Sequence, residues 1–214
     1  MKISVGIVTT KGREEILKKT LLSLGSEKRL HIFCDLKKGM FFNHREAWRR
    51  LFEMSDTALL LQDDISASYN WFKTVSLFAD KFTNQLIFNF YAMYGNGRPK
   101  NLQRMYHFEN GLWEQAILIR KPLHDVIEKS ITSELLEKNK MSRRAGDYHH
   151  DSVIKNILNK IKVKQMKVFP PFFQHRDEVS SLGNPRTWQG KPRQCEFYLG
   201  DDVDSYKYFN ERLF

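Results

Sequence analysis

Strand patterns that alternate with helix patterns along 214 residues predict an α/β fold, a mostly parallel sheet flanked by helices on both faces. Three observations carry that expectation. The opening segments switch repeatedly between short β-branched runs and amphipathic stretches of helical period. The run Thr57 to Leu61 is apolar enough to be buried on both faces, as an interior strand of such a sheet is. Polar groups stand where three strands should exit: Thr9-Thr10, Asp35 and Asp63-Asp64. Ligands of open α/β sheets bind at those carboxyl ends.

Taken in order, Lys2 to Thr9 is a strand rich in Ile and Val, broken at Lys11-Gly12. Glu14 to Leu24 places Ile16, Leu17, Thr20, Leu21 and Leu24 at helical spacing and is stopped by Gly25. His31 to Cys34 forms a short second strand, ending at Asp35 before a Lys37-Lys38-Gly39 turn. Asn43 is a suitable cap for a helix through Met54 with Ala47, Trp48, Leu51 and Phe52 on its apolar face. The third strand runs from Thr57 to Leu61 and delivers Gln62-Asp63-Asp64. Tyr69 to Phe82 reads as an aromatic helix with Trp71, Phe72 and Phe78 in the core, and Leu86 to Phe90 as a strand. Tyr94 to Pro99 is a loop by its turn chemistry. Gln115 to Ile119 is a strand, Pro122 to Glu137 a single helix, and Asp151 to Ile161 another. Val163 to Phe169 is the last regular segment, and Pro170-Pro171 opens an irregular C-terminal stretch with Asp201, Asp202 and Asp204.

Hydrophobic content of 41% with 28% charged residues is globular, which excludes a disordered, collagen-like or coiled-coil chain. No apolar run approaches the roughly 20 residues of a membrane span, and the N-terminus carries no signal-peptide pattern. Two cysteines, Cys34 and Cys195, support neither a disulfide framework nor a zinc site, and Cys34 is expected buried in its strand. A reducing, cytoplasmic compartment follows. With 35 Lys and Arg against 25 Asp and Glu, the net charge of +10 suits a polyanionic partner, nucleic acid or an anionic membrane surface.

The strongest chemical signal is Leu59-Leu60-Leu61-Gln62-Asp63-Asp64-Ile65. Two carboxylates at the exit of a buried strand need compensation, which a hard divalent cation supplies. A solvated turn, or Asp63 capping the next helix, is the plain alternative. The run Gly39, Asn43, Ala47-Trp48, Leu51, Asp56 and Leu59 to Asp64 resembles the corresponding stretch of GT-A-fold glycosyltransferases, where a Gly-rich loop and an Asn-bearing helix precede a strand ending in an Asp-x-Asp type motif. The opening strand with Arg13, and the second strand ending in Asp35, match the nucleotide-binding half of that fold. Gln62-Asp63-Asp64 is similar to the Glu-Asp-Asp variant of inverting N-acetylglucosaminyltransferases, with Gln62 in the first acidic position.

The resemblance implies a GT-A-like, Rossmann-like sheet over a single domain 1–214, with residues 1–100 as the nucleotide-sugar-binding half and 101–214 as the acceptor-binding half and C-terminal loop. It implies Mn2+ or Mg2+ held by Asp64, with Asp63 near the donor ribose or the metal waters. Thr9, Thr10, Arg13 and Asp35 are then expected to position the nucleoside. Phe173-Gln174-His175 followed by Ser180-Ser181 resembles a stretch near the end of such enzymes, which makes His175 the third ligand, completing the metal site, and Ser180, Ser181 and Arg176 candidate diphosphate contacts; an ordinary loop histidine is the alternative. In the inverting enzymes a carboxylate at the start of a late helix is the base. Asp151 matches best, because Ile154 and Leu158 follow it, and Asp147 is the runner-up; Asp151 as a helix N-cap is the alternative.

Glu114 and Trp113 precede the strand that would face the acceptor, with a core role for Trp113 the alternative. Basic residues gather at Arg98, Lys100 and Arg104; at Lys138, Lys140, Arg143 and Arg144; at Lys160, Lys162, Lys164 and Lys167; and at Arg186, Lys191 and Arg193. They form either dispersed solubilising charge or one surface for DNA phosphate or anionic membrane. The expected reaction moves a sugar from a nucleotide-diphosphate sugar to a hydroxyl. A hydroxymethyl-pyrimidine in phage DNA is one acceptor class, and a bacterial lipopolysaccharide or capsule glycan the other, in a bacterial or phage-infected cytoplasm. A nucleotidyltransferase and a non-catalytic nucleic-acid-binding module remain as readings from other classes.

Overall fold

The computed structural model describes residues 1–25, 30–35, 39–91, 105–109, 115–141, 147–176, 187–188, 191–192 and 197–213. In chain order the elements are β1 (Ser4–Thr10), α1 (Glu14–Leu24), β2 (Leu30–Asp35), α2 (Met40–Met54), β3 (Thr57–Gln62), β4 (Ile65–Ala67), α3 (Trp71–Lys81) and β5 (Ile87–Asn89). There follow β6 (Tyr106–Glu109), β7 (Ala116–Arg120), α4 (Lys121–Ser130), α5 (Ser133–Lys138), α6 (His150–Lys160), β8 (Gln165–Val168), β9 (Phe173–His175) and α7 (Ser205–Leu213).

Among the described residues one sheet has seven strands in the order β2-β1-β3-β7-β5-β8-β6. β1 pairs in parallel with β2 and β3, and β5 with β8, whereas β7 is antiparallel to both β3 and β5 and β6 to β8. β1, β2, β3, β5 and β8 therefore run one way, and the sheet is mostly parallel. The alternation of buried side chains along the strands makes two cores. Ile3, Val5, Ile7, Leu59 and Leu61 face α1, α3 and α7, while Val8, Ala58, Leu60, Ile117 and Ile119 face α2, α4 and α6. Helices cover both faces, so the α/β expectation holds.

The departures have local causes. Pro122 to Glu137 is two helices, because Thr132 leaves helical geometry and its side chain accepts a hydrogen bond from Leu135 N at 3.2 Å, capping α5. α2 starts at Met40, ahead of Asn43, whose amide is used elsewhere. Cys34 is exposed because β2 is the sheet edge, and Ile32 beside it is exposed too. The C-terminal stretch is not wholly irregular: β9 pairs with β4, and α7 inserts Phe209 into the core. Among the described residues no helix is long and apolar enough to cross a membrane.

Candidate functional site

β1, β2 and β3 end side by side, Thr10 opposite Asp35 and Val8 opposite Gln62, so their carboxyl ends form one polar corner. Asp63 and Asp64 leave β3 there at 5% and 7% exposure. Arg13, immediately before α1, answers both. Its Nε donates to Asp63 Oδ2 at 2.8 Å and its Nη2 to Asp63 Oδ1 at 2.8 Å, a bidentate fork, and the same Nη2 reaches Asp64 Oδ2 at 3.0 Å. Thr9 Oγ1 donates to Asp63 Oδ2 at 2.5 Å. Burial alone would lower the Arg13 guanidinium, but the Asp63 and Asp64 carboxylates outweigh it and hold Arg13 above its ordinary value. Burial pushes the Asp63 carboxyl up, against the opposing pull of Arg13 and Thr9.

The backbone around the pair is equally fixed. Thr20 on α1 donates its hydroxyl to Asp63 O at 2.7 Å and Ile65 O at 2.9 Å. Two residues after Asp63 the chain enters β4, which pairs antiparallel with β9 so that Ile65 lies opposite His175. Arg176 N donates to Asp64 O at 2.7 Å and extends the ribbon by one bond. This ribbon brings His175 Nε2 to 3.4 Å from Asp64 Oδ2, across 111 positions of sequence, with the ring 2% exposed. The two side chains expected to share a cation are thus adjacent.

Their chemistry fits a divalent cation. Asp63 and Asp64 set two carboxylates against the Arg13 guanidinium, and His175 Nδ1 is buried with no hydrogen-bond partner among the described residues. Bonds of about 2.1 Å around an octahedral cation set neighbouring donor atoms about 3 Å apart, close to the Asp64–His175 spacing. An imidazole beside a carboxylate suits Mn2+ better than the strictly oxygen-seeking Mg2+. Among the described residues no group of three or more His, Cys, Asp or Glu is placed to hold a metal ion.

Asp35 closes the other side of the corner. Its Oδ1 accepts from Gly39 N at 3.2 Å, and Gly39 has φ +94. A Cβ at Gly39 would come within 2.8 Å of the Asp147 carboxylate, so only glycine admits that side chain. Asp147, 3% exposed, accepts from Met40 N at 2.8 Å and Phe41 N at 3.1 Å, and from Tyr148 N at 2.9 Å. It caps α2 from a distant segment, a role no local spacing reveals. Asp151 sits half-buried in the first turn of α6, its Oδ1 accepting from Ser152 N at 2.9 Å. Asn43, expected as a cap, instead donates its amide to Thr9 O at 3.2 Å and Phe33 O at 3.1 Å, tying the ends of β1 and β2 together.

Arg176, expected on the diphosphate, has Nε on Ile65 O at 3.0 Å and Nη2 on Lys19 O at 3.3 Å, so its side chain runs toward α1. Lys167 is fully buried, 3.1 Å from Glu109, and leaves the set of basic surface residues. Lys138 and Lys140 pair with Glu134 and Glu137. Ser180, Ser181, Trp113, Glu114, the 94–99 loop, Cys195, and Arg98, Lys100, Arg104, Arg143, Arg144, Arg186 and Arg193 lie outside the described residues.

No protein-family model matches the chain, and no curated protein matches it in sequence. Solved structures do match in three dimensions. GalNAc-T7 with UDP, GalNAc and Mn2+ aligns at TM-score 0.57 and 10% identity, over 99% of this chain and 48% of that one. Staphylococcus aureus TarS 1-349 aligns at TM-score 0.52 and 14% identity, over 83% of this chain and 61% of that one. Its complex with UDP-GlcNAc gives TM-score 0.51 and 12% identity, over 87% and 62%. This chain thus spans about half to three fifths of those relatives. At such identities the likeness is one of fold, and the fold is the α/β, GT-A-like sheet of glycosyltransferases.

Proposed function

We propose that this protein transfers a sugar from a nucleotide-diphosphate sugar to an acceptor hydroxyl, with a divalent cation held by Asp64 and His175. The observation that carries this reading is the 3.4 Å approach of His175 to Asp64 at the carboxyl edge of a GT-A-like sheet. A binding module has no need of that pairing, or of an Arg13 fork buried against it. The first half, 1–100, supplies most of the donor corner, to which His175 is added from 101–214, and 101–214 otherwise supplies the acceptor side.

In this mechanism Arg13 stays charged and orients Asp63 and Asp64, so both carboxylates are pre-set before the donor arrives. Thr9 serves that arrangement through Asp63, and Thr10 and Asp35 bound the nucleoside pocket. Asp64 and His175 would hold a divalent cation, which would supply positive charge to offset that developing on the leaving diphosphate. Ser180 and Ser181 are proposed as further diphosphate contacts. Asp151 takes the proton of the acceptor hydroxyl as its oxygen attacks the anomeric carbon and the bond to diphosphate breaks, with inversion. Asp151 is favoured over Asp147 because three backbone amides occupy the Asp147 carboxylate.

For the acceptor we favour a glycan over a hydroxymethyl-pyrimidine of DNA. Among the described residues of the expected basic set, Lys167 is buried against Glu109, and the exposed Lys138 and Lys140 have their charge offset by Glu134 and Glu137, while Lys160, Lys162 and Lys164 are exposed. Thermal-shift titration of nucleotide sugars with and without Mn2+ tests the core of the proposal. One donor should raise the melting temperature by several degrees only with metal, since a ligand of the native state stabilises it by mass action. No donor-specific shift in either condition would reject the reading. Labelled donor then separates the acceptors: label on saccharide and none on hydroxymethylated duplex supports the glycan, and the reverse supports DNA.

A further inference from the structure

We infer that Gln62 and Gln115 form an amide pair that reads the transferred sugar, matched to the hydroxyl or acetamido groups of a hexose. The inference deepens the glycosyltransferase reading and rests on it. The two residues stand side by side where β3 leaves the sheet and β7 enters it. Gln62 N donates to Gln115 O at 3.1 Å, one step beyond the Leu61–Ala116 pair. On the other flank Phe90 N donates to Ala116 O at 3.0 Å, so the start of β7 is fixed from both β3 and the end of β5.

The pleat decides which way the pair faces. Leu61 and Ala116 belong to the core under α1, α3 and α7, and Leu60 and Ile117 to the core under α2, α4 and α6. Alternation puts Gln62 and Gln115 on the second of these faces. Val8 lies on that face too, so Thr9 turns to the first, where it meets Asp63. The Asp63-Asp64 corner and the amide pair therefore occupy adjoining stretches of one carboxyl edge. The amide face is the one that α6 covers, and the first turn of α6 carries Asp151. A sugar passed from a diphosphate at the corner to a hydroxyl held by Asp151 would lie over this stretch.

The chemistry of the pair points to a ligand. Gln115 is 6% exposed, and its side-chain Oε1 is buried with no hydrogen-bond partner among the described residues. A buried amide oxygen left unmatched destabilises a fold, and native proteins pair nearly all such groups. Gln62, half-buried, offers a second amide beside it. Each amide both donates and accepts, as hydroxyl and acetamido groups do. A site built to hydrogen-bond such groups discriminates against sugars that lack them, because its own polar atoms are then left unpaired.

Calorimetric titration of the full chain in Mn2+ tests this, comparing UDP with UDP-glucose and UDP-N-acetylglucosamine, and GDP with GDP-mannose. The readout is the ratio of the dissociation constant of the nucleotide sugar to that of its nucleoside diphosphate, in the parent, Gln115→Met and Gln62→Met. Methionine keeps the length of the side chain and removes its polar end. For the donor that the parent binds, the ratio should rise by about fivefold or more in Gln115→Met and about twofold in Gln62→Met, the scale of a lost hydrogen bond. Affinity for the nucleoside diphosphate should hold in both variants, which also reports an intact corner. A ratio unmoved in Gln115→Met, or equal weakening of nucleotide and nucleotide sugar, overturns the inference and leaves the glycosyltransferase reading standing. A parent that binds no nucleotide and no nucleotide sugar fails that reading, and this inference with it.

Discussion

At Asp64 one carboxylate oxygen faces both Arg13 and His175, whereas Asp63 alone holds the bidentate face of the guanidinium. The two aspartates should therefore fail differently. Asp64→Ala keeps the Arg13–Asp63 fork, so it should fold nearly as well as the parent yet lose metal-dependent donor binding and turnover. Asp63→Ala removes the bidentate partner of a buried guanidinium, leaving its single contact with Asp64, and should cost up to about 3–5 kcal/mol, the scale of a broken buried pair. Urea unfolding and donor titration of both variants check this, and equal stability of the two would contradict the assignment. Asp151→Asn should retain donor binding and lose turnover by roughly 10² or more, the contribution of a positioned base. Single-turnover kinetics reads that directly; an active Asp151→Asn beside an inactive Asp147→Asn would exchange their roles. Asp63-Asp64 stood out in the sequence because an apolar strand delivers them. The partners did not, since Arg13 lies 50 positions from Asp63 and Asp147 lies 107 from Met40.

The α2–α6 interface carries a pH dependence of its own. His150, at the start of α6, stacks at 4.6 Å on His44 and packs on Phe41, and it is 1% exposed. Burial holds it down at about 4, against the raising influence of Asp151, Glu128 and Asp147 and with Arg45 adding to the depression. The unfolded chain binds that proton near the ordinary value of 6.5, the folded chain only near 4, so stability is full above 6.5 and falls as pH drops through this window. Burial lowers His124 as well, which acts in the same direction. Unfolding free energy should be about 2 kcal/mol smaller at pH 5 than at pH 7, from 1.36 kcal/mol per pKa unit. His150→Phe should flatten that slope, and an unchanged slope would remove His150 as its source.

Across the whole molecule, legibility tracked element length and apolar contrast. α1, with its stripe from Ile16 to Leu24, spans the very residues its spacing predicts, and β3 exceeds its expected range only by Gln62. β4 and β9 have three residues each, too few for a period to register. α7 escaped because one residue, Phe209, does most of its burying among Tyr, Lys, Asn, Glu and Arg. Phe209 meets Phe78 at 5.1 Å and Phe172 at 5.7 Å, joining the end of the chain to α3 and to the segment before β9. Phe209→Ala should cost about 3–5 kcal/mol, measured by urea unfolding, the range for deleting a fully buried aromatic. A loss below 1 kcal/mol would mean that α7 is peripheral.

The β4–β9 ribbon makes the corner tolerant of exchanges and intolerant of slips. Three residue pairs, Ile65 with His175, Ser66 with Gln174 and Ala67 with Phe173, set where the imidazole lands. Side chains alternate across such a ribbon, so a shift of one position turns every one of them over. One residue inserted between Phe173 and Gln174 would carry the histidine to the face now used by Arg176, while Ser66→Thr would leave the pairing alone. Reading-frame-preserving indels, ordinarily absorbed by surface connections, are at this place expected to be as damaging as replacement of His175 itself.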